Sequence, residues 1–195
     1  HCHSLILWGH NPATTAPHSM PFIRAAQRAG CTVVLIDPRR TLTSRSVKLH
    51  VTPKPATDGA LALGIAHVLF RDGHVDREWL EAHARGGEAF EARAAEYSPD
   101  RVSEICGIPV EEIEMLAELM ATQTPMMIKT SDGVQRHQNG GQTVRAIASL
   151  PALLGQYGVR GGGLYYSSSD RLRWDAEAAG KASDCPPTPR TINMN

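Results

Sequence analysis

The amino-acid sequence predicts an α/β fold in which helices flank a parallel, Rossmann-like sheet, with a small helical insert. Residues 5–40 have the pattern strand, helix, strand, which is typical of a βαβ unit with a right-handed crossover. A strand, a polar loop and a helix follow again from Pro125, and residues 72–124 show helical periodicity. A parallel sheet binds ligands at the carboxyl ends of its strands, so the loops there are the expected site.

The first two strands are predicted from short apolar runs that end at turn residues. Residues 5–8 (LILW) stop at the sequence GHNP, and residues 32–36 (TVVLI) stop at DPRR. Between them, apolar residues recur at helical spacing over residues 17–29, and Gly30 can end that helix.

The loops after these strands carry groups that suit a nucleotide. Gly9 lets a backbone pass close to a ligand, and Asn11 offers both a donor and an acceptor. Asp37 can accept bonds from ribose hydroxyls or a base edge, while Arg39 and Arg40 can bind phosphate. The fingerprint G-x-G-x-x-G is missing, which argues against an ordinary nicotinamide or flavin site. A purely structural βαβ unit is the alternative, because Asn-Pro and Asp-Pro are also common turn sequences.

A second acidic residue follows a third predicted strand at residues 49–53. Thr57 or Asp58 is the expected N-cap of a largely apolar helix over residues 59–71. Asp58 therefore has two interpretations. It either caps this helix or supplies a second carboxylate to the same nucleotide.

The rest of the chain is predicted to be mostly helical. Short amphipathic helices are expected over residues 76–84, 88–97, 99–106 and 109–121, with their glutamates on a solvated face. A buried strand at residues 126–129, a polar loop at 130–139 and a helix from Gly140 to about residue 154 follow. Free backbone N–H groups at the start of that helix, with Arg136 nearby, suggest an anion site. His137 is either a hydrogen-bonding surface group or a ligand or base.

Composition excludes several classes of function. Lys plus Arg and Asp plus Glu number 20 each, so no overall charge recruits nucleic acid or an anionic membrane. No apolar run is long enough for a transmembrane segment, and we expect a cytoplasmic protein, or a periplasmic one if an export signal precedes His1. The four cysteines include no C-x-x-C pair, and their spacing suggests neither a metal motif nor a disulfide framework.

Five short motifs occur in an order that resembles one protein family. They read WGHNP from Trp8, IDPR from Ile36, PATDGALALG from Pro55, GVQRHQNGG from Gly133 and GQYGVRGGG from Gly155. Together they resemble the molybdopterin oxidoreductases, the superfamily of dimethyl sulfoxide reductase and formate dehydrogenase. The resemblance implies that residues 1–166 are an α/β domain for molybdopterin guanine dinucleotide, with the insert at about 72–124. Residues 167–195 would be an irregular, loop-rich tail that leads to a C-terminal part.

The resemblance also implies a cofactor and a set of site residues. Molybdenum or tungsten would be held by two pterin guanine dinucleotides, for two-electron redox of a small substrate such as formate, an oxyanion or a sulfur compound in anaerobic respiration. Arg136 and His137 are the candidates for substrate contact, and no residue of the chain is expected to bind the metal. The implied cofactor-binding residues are Trp8, Gly9, Asn11, Pro12, Asp37, Arg39, Thr57, Asp58, Gly133, Gln135, Asn139 and Gly140.

Several parts of such an enzyme would lie outside the chain. The metal ligand and the cysteines of a [4Fe-4S] cluster would precede His1, and a domain for the other pterin would follow Asn195. The chain alone is therefore expected to be inactive, and an iron–sulfur electron-transfer subunit is an expected partner of the intact enzyme. The sequence departs from the family at Ala56, where glycine is usual, and at Val159-Arg160-Gly161, where Arg-Pro-Gly is frequent.

Two other functions remain open from the sequence. A cofactor-free structural subunit of a respiratory complex would keep the fold, but it has no need for polar residues at each strand end. An ordinary dinucleotide-binding domain would differ in base preference. Two carboxylates can accept bonds from guanine N1–H and N2–H₂, whereas adenine lacks that pair of donors.

Overall fold

The computed structural model describes residues 1–166 and residue 175. In this part of the chain, five strands form one sheet in the order β3-β2-β1-β4-β5, and all neighbouring strands are parallel. The order reverses between β1 and β4, which is the topological switch point where open α/β sheets bind ligands. The predicted fold class is confirmed. The strands are β1 (Ser4–Trp8), β2 (Thr32–Ile36), β3 (Leu49–Val51), β4 (Met126–Thr130) and β5 (Gly163–Tyr165).

The α-helices follow the predicted pattern, but one short helix and one short strand were not predicted. The prediction missed α1, a single turn that starts at Pro12, and the three-residue strand β5, which follows a run of glycines. The tail proposed for residues 167–195 lies outside the described residues, apart from residue 175. The α-helices are α1 (Pro12–Thr15), α2 (Met20–Arg28), α3 (Asp58–Arg71), α4 (Arg77–His83), α5 (Gly87–Ala95), α6 (Pro99–Cys106), α7 (Val110–Thr122) and α8 (Gly140–Leu153).

The sheet has an apolar core on each face, as a parallel sheet between helices requires. Side chains alternate along β1, so Ile6 and Trp8 lie in the larger core with α3 and α6–α8, whereas Leu5 and Leu7 lie in the smaller core with α2. Helix α3 packs against α5, α6, α7 and α8 and is therefore apolar on most sides. Its first residue, Asp58, is a buried acidic residue in this otherwise largely apolar helix, and it belongs to the candidate site.

The insert helix α6 begins and ends at the predicted local signals. The Ser98 hydroxyl accepts a bond from the N–H of Arg101 at the start of α6, and Gly107 ends that helix in a left-handed conformation. No helix in the described part of the chain is both long and apolar enough to cross a membrane.

Candidate functional site

The carboxyl ends of the strands lie at the same level of the sheet. Trp8 at the end of β1 pairs with Ile36 on one side and with Thr130 on the other. The ladder continues one residue further, because the N–H of Gly9 donates to the Ile36 carbonyl over 2.8 Å and that of Asp37 to the Val51 carbonyl over 3.1 Å. The loops after β1, β2, β3 and β4 therefore leave the sheet side by side.

One buried hydrogen bond connects β1 to the start of α3. The indole Nε1–H of Trp8, which is fully buried, donates to Oδ1 of Asp58 over 2.8 Å. Asp58 is the first residue of α3, and Thr57 before it makes no side-chain capping bond because its hydroxyl donates to the Lys54 carbonyl. The prediction that Thr57 or Asp58 is the N-cap is therefore confirmed for Thr57 as the N-cap residue, whereas the expected side-chain capping bond is absent.

Asp58 is a desolvated carboxylate with other charged groups nearby. Burial raises its pKa above the usual range, and the bond from Trp8 opposes that rise. The charge of His137 also lowers the pKa of Asp58, while the charge of Asp37 raises it. Asp58 thus lies within electrostatic reach of both, so three of the predicted site residues influence one another at this edge of the sheet.

Asp37 forms the turn that an Asp-Pro sequence favours and still has a carboxylate oxygen that a nucleotide could use. Its Oδ1 accepts the backbone N–H of Arg39 over 2.8 Å, which is the turn chemistry of an Asp-Pro sequence. Its Oδ2 has no partner in the described part of the chain, and neither has the exposed guanidinium group of Arg39. A carboxylate oxygen and a cation therefore remain available in the loop after β2.

Asn11 holds the loops after β1 and β2 together. Its Oδ1 accepts the hydroxyl of the buried Thr43 over 2.7 Å, and its Nδ2 donates to Thr14 over 3.0 Å. Thr43 in turn accepts the N–H of Ala13. The predicted donor and acceptor of Asn11 are thus used mainly within the protein, and Pro12 is buried as the first residue of α1.

The loop after β4 packs directly on the loop after β1. Gly9 has a φ of +58°, and a β-carbon there would lie 2.6 Å from Cγ1 of Val134. The close approach that we predicted for Gly9 is therefore to the protein itself. Gly133 lies beside the Gly9 carbonyl, and Gln135, Arg136 and His137 follow as exposed residues.

The predicted anion site at the start of α8 is largely closed. The N–H of Gly140 donates to the His137 carbonyl, and those of Gln142 and Thr143 donate to the Asn139 carbonyl. Only the N–H of Gly141 has no partner among the first residues of α8. The expectation of a row of free N–H groups is therefore wrong. The loop turns back tightly here, and a β-carbon at Gly140 would collide with the carbonyl oxygen of Gln135.

Thr57 and Asn139 line a cleft of about 730 Å³ between the amino ends of α3 and α8 and helix α5. Three arginines also line it, Arg85, Arg93 and Arg145, of which Arg93 is paired with Glu96 over 2.7 Å. Asp58 is not among the lining residues of this cleft. The predicted set of site residues is therefore divided between the cleft and the strand ends.

Sequence reasoning missed three residues at the strand ends. In the described part of the chain, the buried side-chain polar atoms without a hydrogen-bond partner are Nδ1 of His10, Oγ1 of Thr41 and Oγ1 of Thr130. All three belong to this edge of the sheet, in the loops after β1 and β2 and at the end of β4. Burial and the charge of Lys129 lower the pKa of His10 to about 4, so its ring is neutral. No local sequence pattern indicates that His10 is buried, because its surroundings include β4, which is distant in sequence.

Comparison with known proteins identifies the family. Residues 3–182 match the family model for the molybdopterin oxidoreductases. The chain belongs to the molybdopterin oxidoreductase family. In the described part of the chain, no three His, Cys, Asp or Glu side chains are grouped so that they could hold a metal ion.

The relatives are much longer than this chain. The chain is 36% identical over 196 residues to the probable oxidoreductase YoaE of Bacillus subtilis, covering 100% of this chain and 29% of that protein. It is 31% identical over 178 residues to trimethylamine-N-oxide reductase of Haemophilus influenzae, and the match covers 82% of this chain and 21% of that protein. The solved structure of acetylene hydratase from Pelobacter acetylenicus superposes with a TM-score of 0.74 at 28% identity, covering 80% of this chain and 22% of that one.

Proposed function

We propose that this chain binds the guanosine and phosphate end of a pterin guanine dinucleotide in a molybdenum- or tungsten-dependent oxidoreductase. The observation that carries the proposal is the bond between Trp8 and Asp58. It fixes a desolvated carboxylate at the switch point of the sheet, and that carboxylate also accepts a backbone N–H of Asp58 itself. An ionised carboxylate has about four lone-pair sites, so it retains the capacity to accept from a ligand.

The remaining acceptors and cations suit guanine and phosphate. The carboxylates of Asp58 and Asp37 each have acceptor capacity beyond their bonds within the protein, and can accept from guanine N1–H and N2–H₂. The unpaired guanidinium group of Arg39 follows Asp37 in the same loop and can bind a phosphate. Adenine lacks the adjacent donors, so this arrangement favours guanine over adenine.

The unpartnered buried atoms also support a ligand at this edge. Buried polar groups in proteins are almost always hydrogen-bonded. His10, Thr41 and Thr130 break this rule at the carboxyl ends of the strands. A polar cofactor laid along that edge would supply the missing partners, so the residues present fit a pterin dinucleotide.

When bound, the metal cofactor supplies two-electron redox chemistry on a small substrate, formate or an oxyanion or sulfur compound being the classes we favour. The chain orients the dinucleotide through Asp58, Asp37 and Arg39. Arg136 and His137, exposed in the loop after β4, are the groups we propose for contact with substrate. Electrons would pass to iron–sulfur clusters in other parts of the protein or in a partner subunit.

The base preference can be tested by nuclear magnetic resonance on the 195-residue chain. We expect GDP to shift the amides of Gly9, Asp37, Asp58 and Gly133, and ADP and NAD to leave them in place. Asp58→Ala should remove the GDP shifts. The matched control Asp100→Ala, on the insert helix α6, should keep them. Stronger shifts with ADP or NAD would contradict the proposal and indicate an ordinary dinucleotide domain.

A further inference from the structure

Two thiols meet at the amino edge of the sheet, opposite the edge that carries the candidate site. The Sγ atoms of Cys2 and Cys31 are 3.7 Å apart, although the residues are 29 positions apart in sequence. Cys2 precedes β1 and Cys31 precedes β2, which are neighbouring parallel strands with Ser4 paired to Thr32. The sequence spacing did not predict this pair, because the contact depends on strand register.

The backbone on both sides of the pair is held by hydrogen bonds. The N–H of Thr32 donates to the His3 carbonyl over 2.8 Å, and the N–H of His3 donates to the Pro125 carbonyl over 2.8 Å. The N–H of Cys31 donates to the Ala26 carbonyl over 3.0 Å. A disulfide requires an S–S distance of about 2.0 Å, so the sulfurs must approach by roughly 1.7 Å. Cys2 lies outside β1 and is only partly buried.

We propose that Cys2 and Cys31 are an oxidisable dithiol that hydrogen peroxide converts to a disulfide. The Cys2 thiolate attacks one peroxide oxygen, so that an S–O bond forms, the O–O bond breaks and the departing hydroxide takes up a proton as water. The Cys31 sulfur then attacks the Cys2 sulfur, so that the S–S bond forms and the S–O bond breaks. The departing hydroxide takes the Cys31 proton as a second water. Two thiols and one peroxide thus give one disulfide and two waters.

The environment of the two sulfurs determines which one reacts first. Cys2 is partly exposed whereas Cys31 is buried, and the contact between the two sulfurs, in which either can be the donor, lowers the pKa of Cys2. The same contact, together with burial, raises the pKa of Cys31. The thiolate is the nucleophilic form of cysteine and peroxide has to reach it, so the partly exposed Cys2 is the peroxide-reactive residue and the buried Cys31 the resolving one.

Cys106 provides the matched comparison within the chain. It is fully buried beneath α3, its thiol donates to the Thr57 carbonyl, and burial raises its pKa. No second cysteine in the described part of the chain contacts it. Peroxide should therefore leave Cys106 reduced under conditions that oxidise the pair.

The test is peptide mapping of the intact protein after treatment with hydrogen peroxide, blocking of free thiols and digestion with trypsin. We expect the peptide that ends at Arg24 to be joined to peptide 29–39, with a mass two hydrogens below the sum of the two peptides. Reduction with dithiothreitol should restore both thiols. Cys106→Ser should keep the joined peptide, while Cys2→Ser and Cys31→Ser should lose it.

Wild-type protein alone is enough to overturn the proposal, so the test does not depend on the folding of the variants. Recovery of both cysteines as blocked free thiols after peroxide would contradict it. So would overoxidation of Cys2 with Cys31 still free, or a bond from either cysteine to a different partner.

Discussion

The indole Nε1–H of Trp8 donates to Oδ1 of Asp58 over 2.8 Å and joins two residues that are 50 positions apart in sequence. The bond places the amino end of α3 against the carboxyl end of β1. Both partners are buried, so neither can exchange the other for water at low cost. Fold and candidate site therefore depend on the same contact.

Trp8→Phe keeps an aromatic ring in the core and removes the donor. Asp58 then lies buried without this bond, which should lower the free energy of unfolding by about 1–3 kcal/mol. Urea unfolding followed by circular dichroism measures the loss. Trp79→Phe is the matched control, because Trp79 is only partly buried, on the insert helix α4, and its indole N–H has no bonded partner in the described part of the chain. Equal losses in the two variants would show that the Trp8 bond has no special role.

Asp58→Asn should change the pH dependence of stability. Because burial raises the pKa of Asp58 in the folded state above its unfolded value, the folded state favours the proton. That contribution is present below the unfolded pKa, and it is lost as the pH rises through the folded pKa. Asparagine does not titrate and still accepts from Trp8. The variant should therefore gain stability relative to wild type between pH 3 and pH 7, as measured by urea unfolding, and a constant difference would contradict the assignment.

Ala56→Gly should stabilise the chain. Ala56 has a φ of +68°, in the left-handed region that costs a residue with a β-carbon roughly 1–2 kcal/mol. Glycine relieves that strain, although the greater freedom of the unfolded chain offsets about 0.4–1 kcal/mol of the gain. A net increase of about 0.5–1 kcal/mol is expected in urea unfolding. Ala84→Gly, at an extended position with a φ of −117°, should instead lower the stability.

Gly140→Ala and Gly141→Ala should have opposite effects although the two residues are neighbours. A β-carbon at Gly140 collides with the Gln135 backbone, and such overpacking costs about 1–3 kcal/mol. At Gly141 nothing lies within 4 Å, and alanine is the better helix former by about 0.5–1 kcal/mol. Thermal unfolding of both variants measures the contrast. Similar midpoints would show that the loop after β4 adapts freely.

His10→Gln should protect the protein against mild acid. Burial and Lys129 lower the pKa of His10 to about 4, so below the ordinary histidine pKa of about 6.5 the unfolded state binds a proton that the folded state does not. Wild type should therefore lose about 1–2 kcal/mol between pH 7 and pH 5, and His10→Gln should lose less. The exposed His18→Gln serves as control and should behave like wild type.

The sequence predicted the elements with strong local signals. Helix α6 has the predicted bounds because Ser98 and Gly107 act within one turn of its ends. Strand β5 was missed because a run of glycines precedes it and only its pairing with β4 makes it a strand. Boundaries of the domain and of the tail stay predictions.

The sequence predicted which residues belong to the candidate site, but it did not predict the contacts between them. Asp37, Asp58 and His137 were selected from their places after strands, and their electrostatic proximity depends on the sheet order. The bond from Trp8 to Asp58 and the contact of Gly9 with Val134 join residues that are distant in sequence, so no local pattern predicts them. The burial of Nδ1 of His10 without a hydrogen-bond partner likewise depends on the tertiary structure. Cofactor binding by the individual residues remains a proposal.

The nucleotide content of the intact protein tests the central claim most directly. Acid hydrolysis of the purified holoprotein should release GMP, because the cofactor we propose carries guanine at the end that Asp58 binds. Asp58→Ala should reduce the GMP released per protein at least tenfold, a loss of about 1.4 kcal/mol or more in binding, while Asp100→Ala should release as much as wild type. Wild-type protein that contains molybdenum or tungsten but releases no GMP, or Asp58→Ala protein with undiminished GMP, would contradict the account.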